Sequence, residues 1–258
     1  DGRPPAFAAA AESAFGAYVG APYHYPSDFH LQREASQSAG LRDLTINDIE
    51  WFTHPFENPL YYGARLVRWQ PGGRLGTMLD FTHSKAYAPF DQQAKLQGSI
   101  DTIPVPESAR IGDYFDMLSF SHGHNMLTLN GLLRLAHLGP IWPYVGAGAG
   151  ISLPHTEIHL KSDAARTYEY QFAGFNGQAL AGIEFRLPSG SLFLEYKFTL
   201  ANYEAPITAN DGNWLPFDMW RQFRRWWSGE SPPGGWGTTE LMSHQLVGGF
   251  YVRFAPGP

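Results

Sequence analysis

The sequence predicts an all-β fold: an eight-stranded antiparallel transmembrane β-barrel with a short amphipathic helix in its last long loop. Three observations predict it. Eight segments alternate apolar and polar residues with a period of two, and the connections between them alternate between short turns and long loops. Charged residues make up only 16% of the 258 residues, whereas Gly and Pro number 28 and 20, which is typical of a chain with many turns.

The alternation is clearest in the fourth segment, FSHGHNMLTLNGLLRL. There Leu127 and Leu129 fall on one face, and Thr128 and Asn130 fall on the other. The same period defines the other seven segments. The predicted strands span about residues 13–23, 60–69, 74–84, 120–135, 143–153, 170–186, 191–202 and 244–254.

The connections predict how the barrel is oriented. Three are short (QPGG, AHLGPI and LPSG), and four are long, at about residues 24–59, 85–119, 154–169 and 203–243. Short turns at one end and long loops at the other are typical of bacterial outer-membrane barrels, whose long loops face outward. We therefore predict one domain, residues 1–258, in the outer membrane, with both termini in the periplasm.

The inward face of the predicted barrel is polar and the outward face is apolar, the reverse of a soluble barrel. A membrane explains this pattern, because a closed sheet pairs all of its backbone groups internally while its outer side chains face hydrocarbon. A soluble lipocalin-like barrel with an apolar interior is the alternative fold. The inward charges argue against it, and a structural network of salt bridges across the lumen is the simplest role for them. These charges are Arg65, Asp80, Arg134, Glu184, Glu195, Lys197 and Arg253.

Composition excludes several classes of protein. The net charge of −6 gives no basic footprint, so we expect no nucleic-acid partner. Cysteine is absent, which removes disulfide frameworks and thiol chemistry. No run of eighteen apolar residues occurs in the sequence, so a transmembrane helix is excluded.

Histidines gather where strands three, four and five reach the long-loop end. His122 and His124 are two residues apart and are predicted to point the same way, toward the lumen. Imidazoles beside carboxylates suit a divalent metal, and two histidines with one carboxylate suit an iron oxygenase; the identity of the metal stays open. Metal-free acid–base use of a histidine and surface histidines without chemistry are the alternatives. The predicted metal ligands are His83, His122, His124, His155 and Glu157, and the predicted catalytic residues are Asp80, His83, His155 and Glu157.

The last long loop contains NWLPFDMWRQFRRWWSGE, which predicts a helix over about residues 216–228 with a proline at its start and a glycine after its end. Its aromatic and basic faces are typical of a helix that lies on an anionic membrane surface, where arginine can pair with the phosphates of lipopolysaccharide. The predicted lipid- and phosphate-binding residues are Arg221, Arg224, Arg225, Trp220 and Trp227. A lid over the loops, or a docking site for a protein partner through residues 213–230, would explain the same pattern.

Several stretches together resemble the lipid A oxidase family of opacity-type outer-membrane barrels. They are PLYYGARLVRW, LDFTHSKAYA, HNMLTLNGLLR, PYVGAGAGISLPHTE, YEYQFAGFNGQALAGIEF and LFLEYKFT. The resemblance implies an enzyme that uses oxygen to convert the proximal glucosamine of lipid A to 2-aminogluconate. The matching polar positions are Asp80, Thr82, His83, Asn125, Asn130, His155, Glu157, Gln171 and Glu195. The long first loop and the Trp/Arg-rich last loop depart from the usual family member.

Two functions are consistent with these features. The first is an outer-membrane enzyme that modifies lipid A, its partner in the membrane. The second is a non-enzymatic barrel that anchors or docks a larger assembly through the Trp-rich loop. A pore is disfavoured because side chains fill the lumen of an eight-stranded barrel.

Overall fold

A computed structural model describes residues 11–35, 40–188 and 190–254. Both ends of the predicted domain of residues 1–258 therefore lie outside the described residues. The elements in chain order are β1 (Glu12–His24), β2 (Ser27–Arg33), β3 (Arg42–Ile49), β4 (Tyr62–Trp69), β5 (Leu75–Ser84), β6 (Gln93–Ile100), β7 (Ile103–Pro104), β8 (Ser108–Arg110), α1 (Ile111–Tyr114), β9 (Phe115–Ser119), β10 (His124–Arg134), β11 (Ile141–Ser152), β12 (His155–Leu160), β13 (Thr167–Tyr170), β14 (Gly174–Arg186), β15 (Gly190–Pro206), α2 (Leu215–Ser228) and β16 (Trp236–Phe254).

Eight of these strands form the predicted closed antiparallel barrel. They follow one another around the wall in the order β1, β4, β5, β10, β11, β14, β15 and β16, and β16 pairs with β1 to close the ring. Period-two alternation therefore identified every wall strand. The largest difference from the predicted bounds is the start of β16, which lies at Trp236 rather than at residue 244.

The wall is apolar outside and polar inside, as a barrel that spans a membrane requires. Leu129 and Leu246 on the outer face are 61% and 57% exposed. Thr128 and Asn130, their counterparts on the inner face, are buried. No helix among the described residues combines the length and the apolar character needed to cross a membrane.

Ion pairs fill the lumen, as the inward charges predicted. The Arg65 guanidinium donates to Glu195 at 2.9 and 3.0 Å and to Asp80 at 3.1 Å. Lys197 Nζ lies 3.2 Å from Asp80 Oδ2. Nearer the short-turn end, Arg134 pairs with Glu184 at 3.0 Å. Each of these buried charges therefore has a partner of opposite sign, the condition under which buried charge is tolerated.

Three of the four long connections form a second structured layer, which we call the rim body: β2, β3, β6 to β9, β12 and β13. The fourth carries α2. The strands β2, β3 and β6 continue the barrel sheet beyond β16, and β9, β12 and β13 form a separate three-stranded sheet. An apolar core joins the two sheets; it includes Phe29, Leu44, Ile46, Trp51, Phe115, Leu118 and Leu241. The rim body thus stands on the barrel as a packed structure rather than as loose loops.

Candidate functional site

Three of the predicted metal ligands, His122, His155 and Glu157, converge in the rim body. One ligand atom from each lies within 4.8 Å of the others, which is the only such group among the described residues. His155 and Glu157 lie on β12, which follows the wall strand β11 after a break of two residues, Leu153 and Pro154. His122 lies in the turn before β10. We call this group the metal triad.

Glu157 is the centre of the metal triad and accepts hydrogen bonds on both carboxylate oxygens. Oε2 accepts from Ser119 Oγ at 2.7 Å and from Ser121 Oγ at 2.6 Å. Oε1 accepts from the His122 backbone N–H at 2.9 Å, and it lies 2.7 Å from His122 Nδ1 and 3.1 Å from His155 Nδ1. The carboxylate is therefore held in one orientation by donors on either side.

These donors control the charge of Glu157. Burial raises the pKa of its carboxyl, but the hydrogen bonds, led by the one from His155, outweigh burial and lower the pKa from 4.5 to about 2. Glu157 is thus a carboxylate over the whole physiological range. An ionised carboxylate is the form that binds a metal.

The lowered pKa predicts how stability depends on pH. Because the folded-state pKa lies below the unfolded value, ionised Glu157 stabilises the metal-free fold above about pH 4.5, and this contribution is lost as pH falls toward 2. The shift corresponds to about 3 kcal/mol. The test is urea unfolding of the native chain and of Glu157→Gln. We expect the difference between their free energies of unfolding to decrease by that amount between about pH 5 and pH 2. A stability difference that does not change with pH would contradict the argument.

The arrangement of His155 fits a metal ligand. Its Nε2 lies 3.1 Å from the Gly212 carbonyl, which can accept the Nε2–H when an unprotonated Nδ1 binds an ion; without an ion, Nδ1–H donates to Glu157. Metal-binding histidines usually donate their second ring N–H to such an acceptor. Two atoms bound at adjacent positions, each about 2.1 Å from an ion, lie roughly 3 Å apart; the separations of Oε1 from the two Nδ1 atoms, 2.7 and 3.1 Å, are close to this value.

The triad has an open side. The His122 side chain is 52% exposed, so water or a substrate can reach an ion held there. The Tyr168 hydroxyl lies 3.1 Å from His122 Nε2, and the Tyr168 ring contacts the His155 ring at 4.4 Å. A site with three protein ligands and an accessible edge is the arrangement of a catalytic rather than a structural metal.

The prediction that His122 and His124 point the same way is wrong. Strand β10 begins only at His124, and Gly123 has a φ of 146°, a backbone conformation that favours glycine and turns the chain before the strand starts. His122 therefore faces Glu157, whereas His124 is buried and its Nδ1 is hydrogen-bonded to the Tyr203 hydroxyl.

The remaining predicted residues lie outside the metal triad. His83 Nδ1 donates to Asn125 Oδ1 at 2.8 Å, and its ring stacks on Tyr62. Asp80 is buried inside the barrel wall in its ion pairs with Arg65 and Lys197. The structure thus brings together three of the five predicted ligands and two of the four predicted catalytic residues.

Sequence reasoning missed the supporting residues Ser119, Ser121, Tyr168 and Gly212. Tyr168 reaches the triad because β12 and β13 pair as a hairpin that places it opposite Glu157. The alternating segments HTEIH and TYEY carried a signal for this hairpin. Gly212 contributes only a backbone carbonyl, for which a sequence has no signature.

The predicted helix in the last long connection is present as α2, with Pro216 in its first turn and Gly229 as its left-handed C-cap at a φ of 70°. Side chains of α2 fix it to the rim of the barrel. Asp218 accepts from the Tyr170 backbone N–H at 3.1 Å. Gln222 accepts from the Phe172 N–H and donates to the Phe172 carbonyl, both at 2.7 Å.

All five predicted lipid- and phosphate-binding residues line one cleft of about 640 Å³. The three arginines are not equivalent. Arg221 pairs with Asp218 at 2.6 Å and with Glu169 at 3.0 Å, and Arg225 points toward the Thr208 carbonyl. Arg224 is exposed and has no hydrogen bond or ion pair with the described residues, so it is the guanidinium most available to an anion. The five cleft residues are Arg221, Arg224, Arg225, Trp220 and Trp227.

No protein-family model and no curated protein matches the sequence. Solved structures do show similarity along nearly the whole chain. The outer membrane protein AlkL has a TM-score of 0.42 and 10% identity, with 100% of this chain and 96% of AlkL covered. The outer membrane protease OmpT from Escherichia coli has a TM-score of 0.44 and 9% identity, with 94% and 97% covered. Neisserial surface protein A has a TM-score of 0.38 and 11% identity, with 95% and 96% covered.

Proposed function

We propose that the chain is a metal-dependent outer-membrane enzyme that oxidises the proximal glucosamine of lipid A to 2-aminogluconate. The single observation that carries this proposal is the metal triad: two histidines and one ionised carboxylate around an accessible edge. That ligand set is typical of non-haem iron sites that work with dioxygen. The resemblance of the sequence to lipid A oxidases names the substrate.

The reaction balances as an oxidation of the anomeric carbon. The hydrogen on C1 and the hydrogen of the anomeric hydroxyl leave with two electrons, which reduce dioxygen to hydrogen peroxide and leave a lactone. Water then opens the lactone to the acid, so the product is heavier than the substrate by one oxygen atom. A redox-active ion held by His122, His155 and Glu157 would supply the electron transfer to dioxygen, which protein side chains cannot perform by themselves.

The protein's own groups position the site. Ser119 and Ser121 hold Oε2 of Glu157 and leave Oε1 for the ion, and the Gly212 carbonyl fixes the ring of His155. The Tyr168 hydroxyl lies at the open edge, where it can donate to the anomeric oxygen of a bound sugar. In this proposal Asp80 acts through the stability of the barrel, because its carboxylate is fully engaged in the lumen.

The place of the metal triad in the fold suits a membrane glycolipid. The metal triad and α2 both lie at the long-loop end, which we propose faces outward, so that the termini lie in the periplasm. A sugar in the outer leaflet would then meet the triad at the rim. Arg224 in the cleft of α2 would pair with a lipid A phosphate.

Lipid A mass spectrometry and metal analysis test this function together. We expect purified protein to contain about one metal ion per chain. Lipid A from cells that lack the protein should lose the species that is heavier by one oxygen atom, and the native gene should restore it. Metal-free protein together with unchanged lipid A would refute the proposal.

The exposed aromatics of α2 favour a second candidate function, a non-enzymatic barrel that docks a protein partner through residues 213–230. Trp226 and Trp227 are 72% and 76% exposed, and aromatic side chains are enriched at interfaces. If alanine at Trp220, Trp226 and Trp227 abolished co-purification of a partner while lipid A stayed unchanged, this function would replace the first.

A further inference from the structure

A second and larger cleft, of about 1130 Å³, lies between α2 and the outer face of the strands that leave the barrel. We call it the lipid groove. Met219, Phe223 and Trp226 from α2 line one side. Phe175 and Trp236 line the opposite side, at the ends of β14 and β16. Its volume is at the upper limit of ordinary ligand pockets, which measure roughly 300–1,000 Å³.

The lipid groove is continuous with the membrane-facing surface of the barrel. Phe175 is 67% exposed and begins the outer apolar face of β14, which continues through Ala179 and Ile183 toward the short-turn end. The same Phe175 lines the groove. Asn202 and Glu204 on β15 continue the outer face of that strand above Leu200 and also line the groove. An acyl chain can therefore pass from the hydrocarbon into the groove along the Phe175 ring, beside the polar side chains of Asn202 and Glu204.

One strand separates the lipid groove from the metal triad. Tyr168 and Tyr170 on β13 contact the ring of His155, whereas Glu169, between them, lines the groove. Because successive residues of a strand face opposite sides, the two sites lie on the two faces of β13. A lipid held in the groove would thus keep its headgroup within reach of the rim where the triad opens.

The arginines of α2, rather than the interior of the groove, suit the phosphate of a lipid, because the groove is also lined by carboxylates. These are Asp28, Glu169, Glu204, Glu230 and Glu240. Arg221 and Arg225 line both the lipid groove and the arginine cleft of α2, so the two clefts meet along the helix. Arg224, the unpaired arginine, lies in the cleft beside them. The phosphate and the acyl chain of one lipid would occupy adjoining clefts.

We propose that the lipid groove binds one acyl chain of a phosphorylated lipid from the outer leaflet and thereby holds the substrate beside the metal triad. This inference rests on the proposed function, and it adds how the substrate is held. The lipid groove would hold the acyl chain, and the cleft lined by Arg221, Arg224 and Arg225 would hold the phosphate. Strand β13 would set the distance from the lipid to the metal triad.

Photolabelling tests the groove without any need for catalysis. The full-length protein is placed in phosphatidylglycerol nanodiscs that contain a trace of the same lipid with a diazirine at the end of one acyl chain. We expect peptides of α2 that contain Met219 and Phe223 to be labelled. Asn202→Trp fills the groove from its exposed wall and should reduce this labelling at least tenfold, whereas Leu246→Trp, on the membrane-facing wall, should leave it unchanged.

The other outcomes overturn the proposal. Label confined to wall residues such as Leu246 and Phe250 would mean that no chain enters the groove. Label on α2 that Asn202→Trp does not reduce would mean that the helix only rests on the bilayer. The Glu157→Gln variant should keep full labelling. Loss of lipid A oxidation with labelling intact would therefore isolate a failure at the metal triad, and normal oxidation without labelling would isolate a failure of the groove.

Discussion

Replacing Arg65 by methionine should lower the free energy of unfolding by about 3–5 kcal/mol, the usual cost of removing one partner from a buried ion pair. Arg65 gives Glu195 two hydrogen bonds and Asp80 a third. Asp80 keeps Lys197 in the variant. Among the described residues, Glu195 keeps only the Tyr144 hydroxyl as a donor, at 2.7 Å, so a carboxylate stays buried with no cation beside it.

Two further variants make this prediction sharp. Arg68→Met, an exposed position on the same strand, should change stability by less than about 0.5 kcal/mol. Arg65→Met combined with Glu195→Leu should recover most of the loss, because an apolar replacement of a whole buried pair is often close to neutral. Urea unfolding in lipid vesicles measures all three. A loss below about 1 kcal/mol for Arg65→Met alone would show that the lumen rehydrates the freed carboxylate.

Glu157→Gln should remove both the bound metal and lipid A oxidation. The substitution keeps the size of the side chain but removes its charge, so the oxygen that faces both histidines belongs to a neutral amide instead of an ionised carboxylate. Loss of an outer-shell contact already costs 10–100-fold in metal affinity, so loss of a ligand should cost at least about 100-fold. Metal content after desalting, measured by mass spectrometry, should fall from about one ion per chain to a trace.

Asp116→Asn is the matched control for this loss. Asp116 lies on β9 in the same three-stranded sheet, and its side chain is 54% exposed. The control should retain metal and oxidation at native levels. Ser121→Ala removes a donor to Glu157 but no ligand, so it should weaken metal binding by an intermediate factor, about 10–100-fold. If Glu157→Gln retained metal and activity, the triad would not be the active site.

The wall of the barrel could be predicted because each strand alternates along its own length. Leu129 outside and Asn130 inside are set by neighbouring positions of one strand, and lipid makes the inversion easy to recognise. The rim body could not be predicted in the same way. Its joint to the barrel pairs β16 with β2, residues more than two hundred positions apart in the chain, and no local pattern specifies that partner.

In the candidate site, too, local patterns could be predicted from the sequence and long-range contacts could not. His155 and Glu157 could be identified as candidates because Pro154 precedes them in the sequence. A break in the strand there means that their side chains need not follow the inward and outward alternation of the wall. His122 and His124 looked equivalent, and one backbone angle at Gly123 separated them. Tyr168 and the Gly212 carbonyl arrive through tertiary contacts. The spacing of residues in the sequence identifies candidate ligands, but the tertiary structure determines which of them lie close together.

The length of the last two wall strands has a mechanical consequence. A tilted strand crosses the hydrocarbon with about 9–11 residues, whereas β15 has 17 and β16 has 19. Some eight residues of β16, roughly 26 Å of strand length at about 3.3 Å per residue, therefore extend beyond the acyl region as a stiff hydrogen-bonded ribbon. This ribbon pairs with β2 through Trp236–Thr239, so it is a rigid support that holds the rim body, with its histidines, clear of the hydrocarbon.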